Sequence, residues 1–253
     1  KIHPDARLVV EHYQAGGKWQ EKRAIQEFIR PFDLQKAPLM RAGVLERTDT
    51  REKYLLLDFH HIVADGVSIR QWFSDFSRRM QGEELPSLPL QYKDYAYWQQ
   101  HEKQKDRWKN HEEYWLNELS GELPVLQLPT DFPRPKVQRF DGDQHSFEMD
   151  AGLSDRLRQL AEEQNATMYM VLFAAYHVLL AKYAGQEDLI VGSPIAGRSH
   201  ADLESMVGMF ANTLAVRTRP TPDVSFARFL GRLKEQILEM AEHQDYPFEE
   251  LVE

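Results

Sequence analysis

The stretch FHHIVADGVSIRQWF, residues 59–73, gathers side chains that could do chemistry: His60, His61, Asp65 and Gly66. A neutral imidazole can take a proton near physiological pH or ligate a metal. The apolar run KYLLLDFHHIV (53–63) reads as a strand, on which successive side chains alternate faces. On that register His61 shares a face with Leu57 and Phe59, and His60 points the other way with Leu56 and Asp58. The two rings then cannot chelate one metal, and no further ligands stand at workable spacing. Two packed core histidines is the plain structural alternative. Asp65 and Gly66 favour chemistry instead. Asp65 is a short acid close to an expected core, and stripping a buried carboxylate of its cationic partner costs roughly 3–5 kcal/mol. Gly66 permits a tight turn that a Cβ would obstruct, so a helix can start at once and leave N–H groups near the strand end. Strand, imidazole, ion-paired acid and helix start together describe a preorganised general base. A second nucleophile, Ser193 in VGSPIAG, lacks the GxSxG pattern, and Pro194 removes the N–H that would serve as oxyanion donor.

The elements that must position these residues follow from periodicity. KWQEKRAIQEFIR (18–30) has helical spacing, and PLMRAGVLER (38–47) pairs with 53–63 as a hairpin across TDTRE. Beyond Gly66 an amphipathic helix carries Ile69, Trp72, Phe73, Phe76 and Met80, with Ser68 as its expected N-cap. A long helix is expected from the aromatic stretch at 92–98 to about Leu119. LPVLQLPTDFPRPKVQRFDGD (123–143) reads as a linker, between a first lobe at 1–122 and a second at 144–253. The second lobe is expected to hold a strand near QHSFEMD, helices near 153–164 and 167–184, strands in 187–198 and 211–220, and a closing helix at 225–243.

The 253 residues are 42% hydrophobic and 11% aromatic, enough for a sizeable core. The 31 Lys+Arg against 40 Asp+Glu give a net charge of -9, which disfavours nucleic-acid binding. The absence of cysteine excludes disulfides and thiolate zinc sites and suits a reducing, cytoplasmic setting. The apolar stretch 166–185 carries His177 and Lys182, so it reads as a core helix and not a membrane span. The start on Lys1 and the end on FEELVE suggest a piece of a longer chain.

HHIVADG resembles the HHxxxDG signature of the condensation domains of nonribosomal peptide synthetases, members of the chloramphenicol acetyltransferase-like superfamily. Three further stretches resemble the family's motifs in its order: YKDYAYW (92–98), VGMFANTLAVR (207–217) and HQDYPFEEL (243–251). The resemblance runs over nearly the whole chain. The family's early SxAQxR and RHExLRT motifs and its late RDxSRNPL motif are missing, which suggests truncation at both ends.

The resemblance implies an α/β fold of the two-layer α+β kind, in which two acetyltransferase-like lobes form a V-shaped pseudo-dimer around a central channel. It implies peptide-bond formation between carrier-bound aminoacyl or peptidyl thioesters, with His61 catalytic. His60, Asp65, Gly66 and Trp98 are expected to support the site; Ser68, Asn212 and Thr213 are expected to line the channel. Residues 244–248 are expected to shape a lobe contact. In the family the RHExLRT arginine pairs with the motif's aspartate, so Asp65 is expected to lack that partner, with Arg41 or another cation as substitute. No metal and no directly bound cofactor are expected, only phosphopantetheine arms delivered by carrier domains. The partners implied are the upstream and downstream peptidyl carrier domains and an adjacent adenylation domain, with no nucleic acid and no membrane.

Rival readings remain within the fold. Epimerization domains resemble DGVSW after the histidines, where this chain has Ile69; heterocyclization domains carry DxxxxD. A free acyl-CoA transferase would not be expected to carry HQDYPFEEL. A non-catalytic docking domain usually degrades the second histidine, intact here as His61.

Overall fold

The computed structural model describes residues 6–102, 105–137, 139 and 142–252. The chain divides into two compact units. One holds residues up to Gln99 together with Arg198–Ala211; the other holds Gln100–Gly197 and Asn212 onward. These bounds differ from the lobes drawn at 122 and 144: the histidine-bearing unit ends earlier and takes in a segment from late in the sequence.

In the first unit, strand β1 (Val10–Ala15) runs parallel to β2 (Met40–Arg47), with helix α1 (Lys18–Phe28) as the crossover that a parallel pair needs. Helix α1 buries Ala24 and Phe28. Gly43 on β2 makes room for Phe28, because a Cβ there would sit 3.1 Å from its ring. β2 pairs antiparallel with β3 (Lys53–Phe59), giving a three-stranded sheet in the order β1-β2-β3. Arg41 and Asp58 face each other in that register and form an ion pair of 2.6 Å. Helices α2 (Gly66–Met80) and α3 (Tyr92–Glu102) follow. In place of one long helix to Leu119, α3 and a separate α4 (Asp106–Glu118) form.

In the second unit, α4, α5 (Ala151–Glu163), α6 (Met168–Ala184) and α7 (Phe226–Glu242) pack around the antiparallel pair β4 (Leu189–Ile195) and β5 (Asn212–Thr218). Helix α6 opens on a Thr167 cap and closes on Gly185 at φ 64°, the left-handed position that favours glycine. Its buried residues Met170, Val171 and Ala174 sit with Leu230, Leu233 and Met240 of α7 and Val216 of β5. A one-turn helix α8 (Phe248–Leu251) ends the described chain.

Two expected strands also differ. The strand near 144–150 does not form; those residues have no regular structure. The strand over 53–63 stops at Phe59. Of the expected linker, residues 138, 140 and 141 lie outside the described residues, and the remainder is irregular apart from bends. No single helix among the described residues is long and apolar enough to cross a membrane.

Candidate active site

The histidines stand on a turn beyond the strand end. The Val63 N–H donates to the His60 carbonyl (3.1 Å), and the Ile62 N–H donates to His60 Nδ1 (3.1 Å). This side-chain bond offers the backbone an alternative to continuing the ladder. The alternating register expected for the pair therefore does not apply to them. The rings nonetheless differ in what they meet. His60 is half-buried, spends Nδ1 on Ile62 and lies edge-on to Phe32 at 5.9 Å. The His61 ring is exposed and makes no hydrogen bond or ion pair among the described residues. No group of three or more His, Asp or Glu arranged to hold a metal occurs among them.

Asp65 is 2% exposed and is the N-cap of α2, its Oδ1 accepting the Ser68 N–H at 2.7 Å. The cap is therefore Asp65, and Ser68 is the third helical residue, not the expected cap. Asp65 Oδ2 accepts the Phe210 N–H at 3.0 Å. Its cation is Arg198, whose Nη2 lies 3.2 Å from Oδ1, with both side chains at most 4% exposed. Of the substitutes expected, Arg41 or another cation, it is the other cation that serves: Arg41 pairs with Asp58. Sequence reasoning misses Arg198 in GSPIAGR because it lies 133 residues from Asp65 and no local pattern links them. Its Nη1 also donates to the carbonyls of Leu203 and Met206, and its guanidinium lies 4.1 Å over the Phe210 ring. Burial alone would push the Asp65 carboxyl up. The Ser68 N–H, the Phe210 N–H and the Arg198 charge outweigh burial and hold it below the usual carboxylate range. Asp65 is thus an anchor ionised at neutral pH and not a proton carrier.

Ser68, expected to line a channel, does not. It is 0% exposed, and its hydroxyl is taken up by Gly208 and Arg198. Gly66 is exposed, with no atom within 4 Å of where a Cβ would stand and no left-handed φ. The backbone does not require glycine there, contrary to the obstructed turn expected; the space above it is open. Trp98 is 41% exposed and tilts against Tyr95 at 5.9 Å, and Tyr95 in turn packs on Phe210 at 4.7 Å.

The remaining residues belong to the second unit. Asn212 Nδ2 donates to the carbonyls of Gln244 (3.0 Å) and Tyr246 (2.7 Å), and its Oδ1 accepts the N–H groups of Thr213 and Phe248. Three of these four bonds tie β5 to the segment 244–248. Tyr246 is buried against Trp108 at 5.3 Å, and Asp245 pairs with Arg107 at 3.2 Å. Thr213, beside Asn212 on β5, is half-buried.

A family model described as "Condensation domain" matches residues 2–253. The chain belongs to the condensation-domain family. This condensation domain is 49% identical over 253 residues to tyrocidine synthase 3 of Brevibacillus parabrevis, covering all of this chain and 4% of that protein. It is 48% identical over 253 residues to gramicidin S synthase 2 of Brevibacillus brevis, covering all of this chain and 6% of that protein. It thus spans a small fraction of the curated relatives it matches. Among solved structures it resembles holo-AB3403, a four-domain nonribosomal peptide synthetase bound to AMP and glycine, with 26% identity and a TM-score of 0.85 over 96% of this chain and 19% of that one. It also resembles the X-domain from teicoplanin biosynthesis, with 29% identity and a TM-score of 0.86 over 98% of this chain and 57% of that one. The mixed α/β fold expected from the motifs is the fold of these structures.

Proposed function

We propose that this condensation domain joins two acyl groups carried as thioesters on the phosphopantetheine arms of carrier domains, inside a synthetase that also holds an adenylation domain. The amine of the downstream aminoacyl group attacks the carbonyl carbon of the upstream thioester. A C–N bond forms, the C–S bond breaks, and the upstream arm leaves as its thiol. The amine proton passes to the His61 imidazole, which returns it to the departing sulfur. The observation that carries this reading is the contrast between neighbours: His60 is held by the turn, whereas His61 presents an imidazole with no partner among the described residues. A general base contributes typically about 10²–10⁴-fold. Holding two tethered reactants in place is worth about 7–11 kcal/mol, so positioning contributes more than proton transfer.

Asp65 and Arg198 keep the turn in register, and His60 supports it. The Gly66 N–H, on the open first turn of α2, donates to the developing oxyanion. Trp98 packs beneath the site. Thr213 lines the substrate channel; Asn212 supports that wall through 244–248. The absence of cysteine and the synthetase relatives support a cytoplasmic setting.

The test is amide formation between loaded carriers in the synthetase that carries this domain. His61→Ala should lower the single-turnover rate by about 10²-fold or more while loading of the carriers is unchanged. A wild-type rate in that variant would remove His61 from the chemistry.

A further inference from the structure

The hydroxyl of Ser68 sits where three parts of the first unit converge, and its whole hydrogen-bonding capacity is in use. It donates to the Gly208 carbonyl at 2.7 Å and accepts the Gly208 N–H at 3.0 Å and Arg198 Nη2 at 2.9 Å. The Ser68 N–H meanwhile caps into Asp65. Only a group that both donates and accepts can hold the N–H and the C=O of one residue, which is what a hydroxyl offers.

The next peptide group, between Met209 and Phe210, is held at both ends. The Tyr92 hydroxyl donates to the Met209 carbonyl at 2.8 Å, and the Phe210 N–H donates to Asp65. Gly208 has no room for a side chain, since a Cβ there would fall 2.1 Å from the Tyr92 ring. Segment 208–210 is therefore fixed through its backbone, at Gly208 and Phe210 by the N-terminal turn of α2 and at Met209 by Tyr92 of α3. Asp65 is the shared member: it caps that turn, binds Phe210 and pairs with Arg198.

We infer that Ser68 is a positioning residue for the reaction: by fastening segment 208–210 and Arg198 to Asp65, it sets the turn from which His61 projects. Ser68 touches no substrate, being fully buried. Its influence runs through the orientation of the turn, so its loss should depress turnover and leave carrier binding alone. This inference rests on the condensation reading above.

The experiment measures kcat and KM for loaded carriers in the intact synthetase with Ser68→Ala, Ser68→Cys and a control, Leu45→Ala. Leu45 is buried in a separate cluster of the same unit and takes no part in the site. Thermal midpoints are recorded for all three. Ser68→Ala should lower kcat by about 10²-fold, as a misplacement near 1 Å does, with KM within about twofold. Ser68→Cys, close in size but a weak donor and acceptor, should fall between, and covers the case in which the alanine variant does not fold. Leu45→Ala should keep its kcat despite a comparable or larger drop in midpoint. An unchanged kcat in the serine variants beside an active wild type would overturn the positioning role alone, as would an equal loss in Leu45→Ala. A wild type that forms no amide would overturn the condensation reading and this inference with it.

Discussion

At the scale of single residues, the site depends on one buried charge and one open glycine. The Asp65 carboxylate is tolerable in the interior because Arg198 and two backbone N–H groups meet it. Removing the cation leaves the charge stranded, so Arg198→Ala should cost roughly 3–5 kcal/mol in denaturant unfolding. Arg198→Lys should recover little. Arginine reaches Asp65 and Ser68 with one nitrogen and the carbonyls of Leu203 and Met206 with the other, whereas an ammonium is a single point. A lysine variant as stable as wild type would show that charge alone matters. Gly66 gives the opposite prediction. Nothing crowds its missing Cβ, and alanine favours a helix interior by up to about 1 kcal/mol. Gly66→Ala should therefore leave stability unchanged or slightly raised, yet slow amide formation if a substrate atom must approach that turn. Full activity would mean that nothing approaches.

At the scale of elements, most of the secondary structure is legible in the sequence and the pairings between distant segments are not. Helix α6 is legible because Thr167 and Gly185 bracket its apolar run, and α7 because its apolar residues recur at helical spacing behind Ser225. The hairpin is legible in its alternation, but its end is not: the bond from Ile62 to the His60 ring helps end the strand at Phe59, short of where periodicity extends it. The cap of α2 is ambiguous because Asp65 and Ser68 are both capping types three residues apart, and only the direction of the Ser68 N–H decides between them. The strand expected at 144–150 has alternation but no ladder partner among the described residues. The motif that holds His61 and Asp65 is legible; the bonds from Arg198 to Asp65 and from Gly208 to Ser68 are not, since each spans more than 130 residues. The contact between Gly208 and Tyr92 yields an element-level prediction. Gly208→Ala should destabilise the first unit by about 1–3 kcal/mol through overpacking, and most of that loss should vanish in a Tyr92→Ala background, which removes the crowding ring atoms. Additive losses in unfolding experiments would contradict the contact.

At the scale of the whole chain, the two units should answer acid at different pH values, because their buried ionisable groups differ in kind. The second unit holds two histidines that burial pushes below the ordinary imidazole value. His177 donates from Nδ1 to the Phe173 carbonyl; that bond and the Val216 backbone favour its charged form, but burial outweighs both and disfavours a second proton. His111 accepts from Arg107 at Nε2, which leaves its Nδ1–H to donate to His243 Nδ1 at 2.9 Å; Tyr114 stacks on His243 and Asp245 pairs with Arg107. Protonation of His111 would set a charge against Arg107 and break that bond. For groups held neutral by folding, the unfolded chain binds more protons between the two pKa values. Their stabilisation is thus complete above about pH 6.5 and declines as pH falls below it. The first unit depends instead on Asp65, whose value folding lowers. Its contribution is complete above about pH 4 and is lost only on further acidification through the depressed value. Hydrogen exchange followed from pH 8 to 3 should therefore show α6 and β5 loosening once the pH falls below about 6.5, while the α2 turn stays protected until below about pH 4. Simultaneous loss of protection in both regions would mean that the histidines contribute nothing separable, and that unfolding is governed by the carboxylates alone.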